Sequence, residues 1–336
     1  MPDFSALLLA IIAIALIFDF TNGAHDSANA IATVVSTKVL SPKVAVAMAA
    51  VLNLGGAFLG TEVAQTIGKG IVNTDVVTGC PPLVLAALLG AIAWNLITWY
   101  YGIPSSSSHA LIGGLIGSAL AFKGIGTLNF AGIFDKVILP LLISPLAGFL
   151  AGYMLMLGLT WMFLRSNPRK VTAAFSKLQI VSSAFMATSH GLNDAQKTMG
   201  IITLALFISH QIPEIEVPFW VKIACALAMA LGTSVGGWKI VKTMGHKIFK
   251  LEPIHGFAAE TAAALVITGA SILGAPISTT HTISTTVIGV GASKRFSAVR
   301  WGVATNLAIA WIITIPSAAC ISWLAFEGFV FSGLIK

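Results

Sequence analysis

The chain has 336 residues, 57% of them hydrophobic and 9% charged, where a soluble domain carries about 25% charged residues; this excludes a soluble globular protein. The apolar runs are continuous, which excludes a β-barrel and predicts an all-α integral membrane protein with room for about ten spanning units of roughly 20 residues each. The net charge of +7 comes without any long Lys/Arg run, so it marks cytoplasmic loops and not a nucleic-acid-binding surface.

In chain order, the first predicted helix covers 5–36. No Lys or Arg precedes Lys38, so the segment lacks the basic start of a cleaved signal peptide and reads as a retained span. Its middle interrupts the apolar pattern with Asp19-Phe20-Thr21-Asn22-Gly23-Ala24-His25-Asp26-Ser27-Ala28-Asn29-Ala30. After Ser41-Pro42, residues 44–60 read as a second span, followed by a polar loop holding Lys69, Asp75 and Pro81-Pro82. A third span, 83–102, leads into Gly102-Ile103-Pro104-Ser105-Ser106-Ser107-Ser108-His109 and an apolar stretch, 110–122. Residues 133–164 form one long span or two short pieces. The most basic loop, Arg165-Ser166-Asn167-Pro168-Arg169-Lys170, then falls at the midpoint.

The second half repeats this order. Residues 178–208 carry Ser189-His190-Gly191-Leu192-Asn193-Asp194-Ala195-Gln196-Lys197-Thr198. Spans are expected at 219–237, 256–274 and 301–326, the middle one containing Glu260. Pro276-Ile277-Ser278-Thr279-Thr280-His281 precedes apolar 282–292. The three cysteines, Cys80, Cys225 and Cys320, are scattered and give neither a disulfide framework nor zinc spacing.

Gly23 and Asp26 match Gly191 and Asp194, 168 residues on, and Pro104, Ser106–His109 match Pro276, Ser278–His281, 172 residues on. Two motif pairs at nearly one offset predict an internal repeat, 1–164 and 178–336, joined by a basic cytoplasmic linker at 165–177. About five crossings per half give the halves opposite orientation. With the N-terminus outside, the inside loops collect Lys38, Lys43, Arg165, Arg169, Lys170, Lys177, Lys239, Lys242, Lys247, Lys250, Lys294, Arg295 and Arg300 against one acid, Glu252. This satisfies the positive-inside rule with both termini outside.

The two Pro–hydroxyl–His stretches are poor helix formers and read as breaks between half-helices, tolerated at membrane depth only where protein or water satisfies the backbone. A half-helix starting there aims its free amides at the break. Ser106, Ser107, Ser108, Ser278, Thr279 and Thr280 would then cradle a tetrahedral oxyanion near the midplane, with Asn29, Gln196, Lys197, His109 and His281 as further candidates. Asp26 and Asp194 are the deepest acids expected, and intramembrane ionisable groups usually serve a pathway. Asn22, Asn193 and His25 add ligands around them, and Glu260 is a further candidate for a coupling cation; Na+ at Asp26 and Asp194, or H+, is the expected ion. Carboxylates beside an anion repel it unless positive charge enters too, which predicts obligatory coupling. Asp19 is expected toward the periphery. No ATP-binding loop and no cofactor motif is present, so the energy source is an ion gradient. Sulfate as cargo, a channel, and an intramembrane metal-dependent enzyme are the alternatives, the last disfavoured by the absence of an HExxH pair.

At these residues the chain resembles the PiT family of inorganic phosphate transporters, through Asn22-Gly23-Ala24-His25-Asp26-Ser27-Ala28-Asn29-Ala30, Gly191-Leu192-Asn193-Asp194, Pro104 to His109 and Pro276 to Thr282. The family's common first signature has Asn before Asp, where this chain has His25, and Lys197 stands in the place of Asn29 in the second. The resemblance implies phosphate import with H+ or Na+, a bacterial inner-membrane location, contact with membrane lipid, a homodimer, and no enzymatic activity.

Overall fold

The computed structural model describes residues 5–333, and among these the chain is nearly all helix. The first element, α1 (Ala6–Ser36), starts where the Ser5 hydroxyl accepts a hydrogen bond from the Leu8 amide at 3.2 Å. The helix then runs unbroken through the whole polar signature. It is followed by α2 (Pro42–Gly56), the short α3 (Glu62–Gly70) and a single turn, α4 (Thr74–Val77). Next comes α5 (Pro82–Tyr101), which stops at Gly102 in the left-handed region, φ +67°, where a glycine carries no steric penalty. After the break, α6 (Ser107–Lys123) leads to a turn, α7 (Phe130–Ile133), which continues through a π-turn into α8 (Leu139–Met162).

The second half begins with α9 (Pro168–Ile208) and α10 (Phe219–Val235). Then follow α11 (Trp238–Lys242), α12 (Pro253–Ile272), α13 (Thr279–Lys294) and α14 (Trp301–Phe331). Five helical stretches are long and apolar enough to cross a membrane: Ala6–Ser36, Pro82–Tyr101, Ser107–Thr127, Phe130–Met162 and Trp301–Phe331. A sixth candidate is the pair Phe219–Val235 and Trp238–Lys247, bent by 61°.

Three expectations change. Residues 44–60 yield only the 15-residue α2, shorter than a bilayer requires. The segment 165–177 is mostly helix, because the Asn167 side chain caps Arg169 and Pro168 occupies the first helical position. Arg169, Lys170 and Lys177 thus ride on the first turns of α9. Residues 133–164 belong to one continuous stretch, Phe130–Met162.

The halves are interleaved. Helix α10 packs on α1 while α2 packs on α9; α14 lies along α6 while α8 lies along α13. Small residues make this closeness possible. A Cβ at Gly23 would sit 2.4 Å from the Met229 carbonyl oxygen, and one at Gly191 2.2 Å from that of Asn53, so neither glycine tolerates a side chain. Along α1, the apolar contacts up to Phe18 belong to one core cluster and those from Ala28 onward to a second. The polar signature lies between the two.

Candidate functional site

The site is built on two helix starts and two helix middles. Gly102 and Gly274, both at positive φ, end the preceding helices, and Pro104 and Pro276 keep the chain extended. Ser106 and Ser278 then act as N-caps, accepting from the amides of His109 at 3.3 Å and His281 at 3.1 Å. The next residues, Ser107 and Ser108 on α6 and Thr279 and Thr280 on α13, are buried. Their side chains point at α1 and α9.

Asp26 of α1 accepts from Ser107 Oγ at 2.5 Å and Thr280 Oγ1 at 3.4 Å, and the His25 Nδ1 lies 2.6 Å from its other side. Asp194 of α9 accepts from Lys197 Nζ at 2.5 Å and Thr279 Oγ1 at 3.0 Å, with His190 Nε2 at 3.2 Å. The Lys197 ammonium also donates to Ser108 Oγ at 2.5 Å and to the Ile277 carbonyl at 3.1 Å. Asn29 donates to both Thr279 and Thr280. Each carboxylate therefore meets a hydroxyl at the first turn of a half-helix, and Asp26 and Lys197 reach across to the other half of the chain. Asp26, His190 and Asp194 each bring a ligand atom within 4.8 Å of the others, in a buried setting. Two carboxylate oxygens and an imidazole suit a small cation. The first-turn amides of α6 and α13 have no partner within their own helices and favour an anion.

The sequence candidates divide into those that converge and those that do not. Ser107, Ser108, Thr279, Thr280, Asn29, Lys197, Asp26, Asp194 and His25 come together. His25 also bonds Thr98 Oγ1 at 3.1 Å through Nε2. Ser106 and Ser278 are close in sequence but their hydroxyls serve as caps. His109 and His281 pack ring against ring at 4.6 Å, and His281 stacks on Trp311 at 4.0 Å, so they brace the two half-helices.

Gln196 is a correction. Its carbonyl accepts from the Val63 and Ala64 amides at 2.8 and 3.3 Å and its amide donates to Leu192 O, so it ties α9 to the start of α3 and faces away from Asp194. Two residues along a helix turn a side chain to the opposite side. Glu260 is buried but separate, accepting from Thr33 at 2.5 Å, Ser182 at 2.5 Å and Gln179 at 3.1 Å. Asn193 donates to Ser271 at 2.8 Å, and Asn22 is buried with neither polar side-chain atom bonded; neither touches an aspartate. Asp19 is fully buried beside Thr198 and Cys225, not peripheral. It shares a face with Asn22, Asp26, Asn29 and Thr33, which recur at helical spacing.

Sequence reasoning missed His190, Thr98, Gln179 and Ser182. His190 had a readable signal, one helical turn before Asp194. The others meet their partners only through folding.

Known proteins give a consistent comparison. A family model described as "Phosphate transporter family" matches residues 22–322. A protein of Rhizobium meliloti named "Probable low-affinity inorganic phosphate transporter" is 52% identical over 322 residues, covering 95% of this chain and 96% of the relative. One of the same name from Bacillus subtilis is 49% identical, with the same coverage. A solved structure titled "The sodium-dependent phosphate transporter" superposes with a TM-score of 0.90 at 26% identity, covering 98% of this chain and all of the other.

Proposed function

The chain belongs to the phosphate transporter family, whose matched members are transporters and not enzymes, and from that premise we propose that it is a secondary carrier importing inorganic phosphate with H+ or Na+ by alternating access. The observation that carries the reading is the pairing of each signature aspartate with a first-turn hydroxyl of a half-helix, Asp26 with Ser107 and Asp194 with Thr279. Phosphate enters between the two tips and takes over the hydroxyls and amides of Ser107, Ser108, Thr279 and Thr280. Asn29 holds the two threonines in place. Lys197 balances Asp194 from within the protein. Asp26 receives neutral hydroxyls and His25, so the arriving anion needs a proton or metal cation near Asp26, and the Asp26–His190–Asp194 group offers the ligands for it. The structural neighbour's sodium dependence supports cation coupling.

The same reading covers the architecture. Ten spanning units form two inverted repeats, 1–164 and 178–336, with the short helices α2 and α10 as mates. The reciprocal packing of α2 on α9 and α10 on α1 supports it. The protein sits in the bacterial plasma membrane with both termini outside, as a homodimer by family resemblance. Counterflow in proteoliposomes tests the cargo: vesicles preloaded with unlabelled phosphate should accumulate labelled phosphate, and those preloaded with sulfate should not. Equal accumulation in both would make the carrier a general oxyanion exchanger and remove the phosphate assignment.

A further inference from the structure

Away from the central site, a cavity of about 710 Å³ opens between residues 249–252, the end of α13 and the start of α14. Lys250, Lys294, Arg295 and Arg300 line it, with Glu252 as the one acid. Lys294 lies 4.0 Å from Glu252, and both are more than half exposed. Among the described residues, Lys250, Arg295 and Arg300 form no ion pair. Three positive charges in one concavity therefore face solvent uncompensated, and two are guanidinium forks suited to phosphate oxygens.

What lies beside the cavity says which phosphate. Phe296 stacks on Trp301 at 4.3 Å, and the Trp301 indole donates to the Phe296 carbonyl at 2.9 Å. Phe296 is 66% exposed and Trp301 37%. An exposed aromatic pair at the first turn of a spanning helix has the character of a membrane–water interface anchor. Below it α14 presents exposed Ile309, Ile312 and Ile313, an apolar track along which an acyl chain can lie. A soluble anion needs neither feature.

We propose that this cavity binds the phosphodiester headgroup of an anionic phospholipid, whose charge meets Arg295, Arg300 and Lys250 and whose acyl chains follow α14. Basic pockets at helix ends are a known way to hold such headgroups. The bound lipid fastens the end of α13 to the 249–252 segment, alongside the hydrogen bond from the Arg300 amide to the Ile248 carbonyl at 3.0 Å. Because the other end of α13 carries Thr279 and Thr280, about 24 Å away along a rigid helix, occupancy sets how freely that half-helix moves. The inference needs the interface position of this end and not the identity of the cargo.

The test is native mass spectrometry of the full chain titrated with phosphatidylglycerol, phosphatidylcholine or inorganic phosphate. Phosphatidylglycerol should bind at least about tenfold more tightly than phosphatidylcholine, and Arg295→Gln with Arg300→Gln should remove the difference, as loss of charge-assisted hydrogen bonds requires. Lys250→Gln, a single change on the opposite wall, should reduce the preference by itself and stands in if the double variant does not fold. Equal binding of the two lipids, or an unchanged preference in the variants, overturns the proposal. Displacement of phosphatidylglycerol by inorganic phosphate at similar concentration also overturns it, in favour of a free-anion site.

Discussion

The two signature helices carry the same aspartate in different company. Counting 168 residues on from α1, Asn22 becomes His190, His25 becomes Asn193, Asp26 becomes Asp194 and Asn29 becomes Lys197. In α9 the turns before and after the aspartate hold a histidine at 3.2 Å and a lysine at 2.5 Å. In α1 those two positions are asparagines: Asn22 is unbonded, and Asn29 serves the threonines of α13. A permanent ammonium thus belongs to one half only. The difference teaches that the site is a balanced half joined to an unbalanced one, and that coupling is concentrated at Asp26.

The largest expected effect breaks the balanced half. Asp194→Asn leaves Lys197 buried without its carboxylate, and losing one partner of a buried pair costs about 3–5 kcal/mol. This variant should lose transport and also unfold at markedly lower temperature, which a thermal melt of purified protein checks. Asp26→Asn should lose gradient-driven uptake while its melting temperature stays near that of the wild type, because the amide oxygen still accepts from Ser107. Equal destabilisation by the two substitutions would erase the asymmetry.

Ser107→Ala and Thr279→Ala sharpen the comparison at the anion. Each removes a hydroxyl that the reading hands to phosphate, and a hydrogen bond to a charged group is worth about 1.5–3 kcal/mol, roughly ten- to a hundredfold in affinity. Half-saturation for uptake should rise by that factor in both. The smallest effect is at Gln196→Ala, which removes contacts to the α3 amides. It should lower stability by about 1 kcal/mol and leave half-saturation unchanged.

Much of this was legible before folding. The half-helix starts follow from Pro104 and Pro276 with serine caps two residues on, a local pattern needing no distant contact. Asp26 and Asp194 stand out because nothing else in an apolar run resembles them. The helix period was readable too, and applying it would have turned Gln196 away from Asp194 and brought Asp19 inward. Glu260 is different: its partners, Thr33, Gln179 and Ser182, come from α1 and α9, and no spacing within α12 foretells them. The short α2 escaped notice because its apolar composition matches a span while its length is cut by Gly56, where the chain turns.

The measurement that tests the central claim most directly is labelled phosphate accumulation in proteoliposomes under an inward proton or sodium gradient, with wild type and Asp26→Asn side by side. The account predicts that one of the two gradients drives accumulation in the wild type and that neither does in Asp26→Asn. Accumulation by Asp26→Asn at the wild-type rate would contradict it.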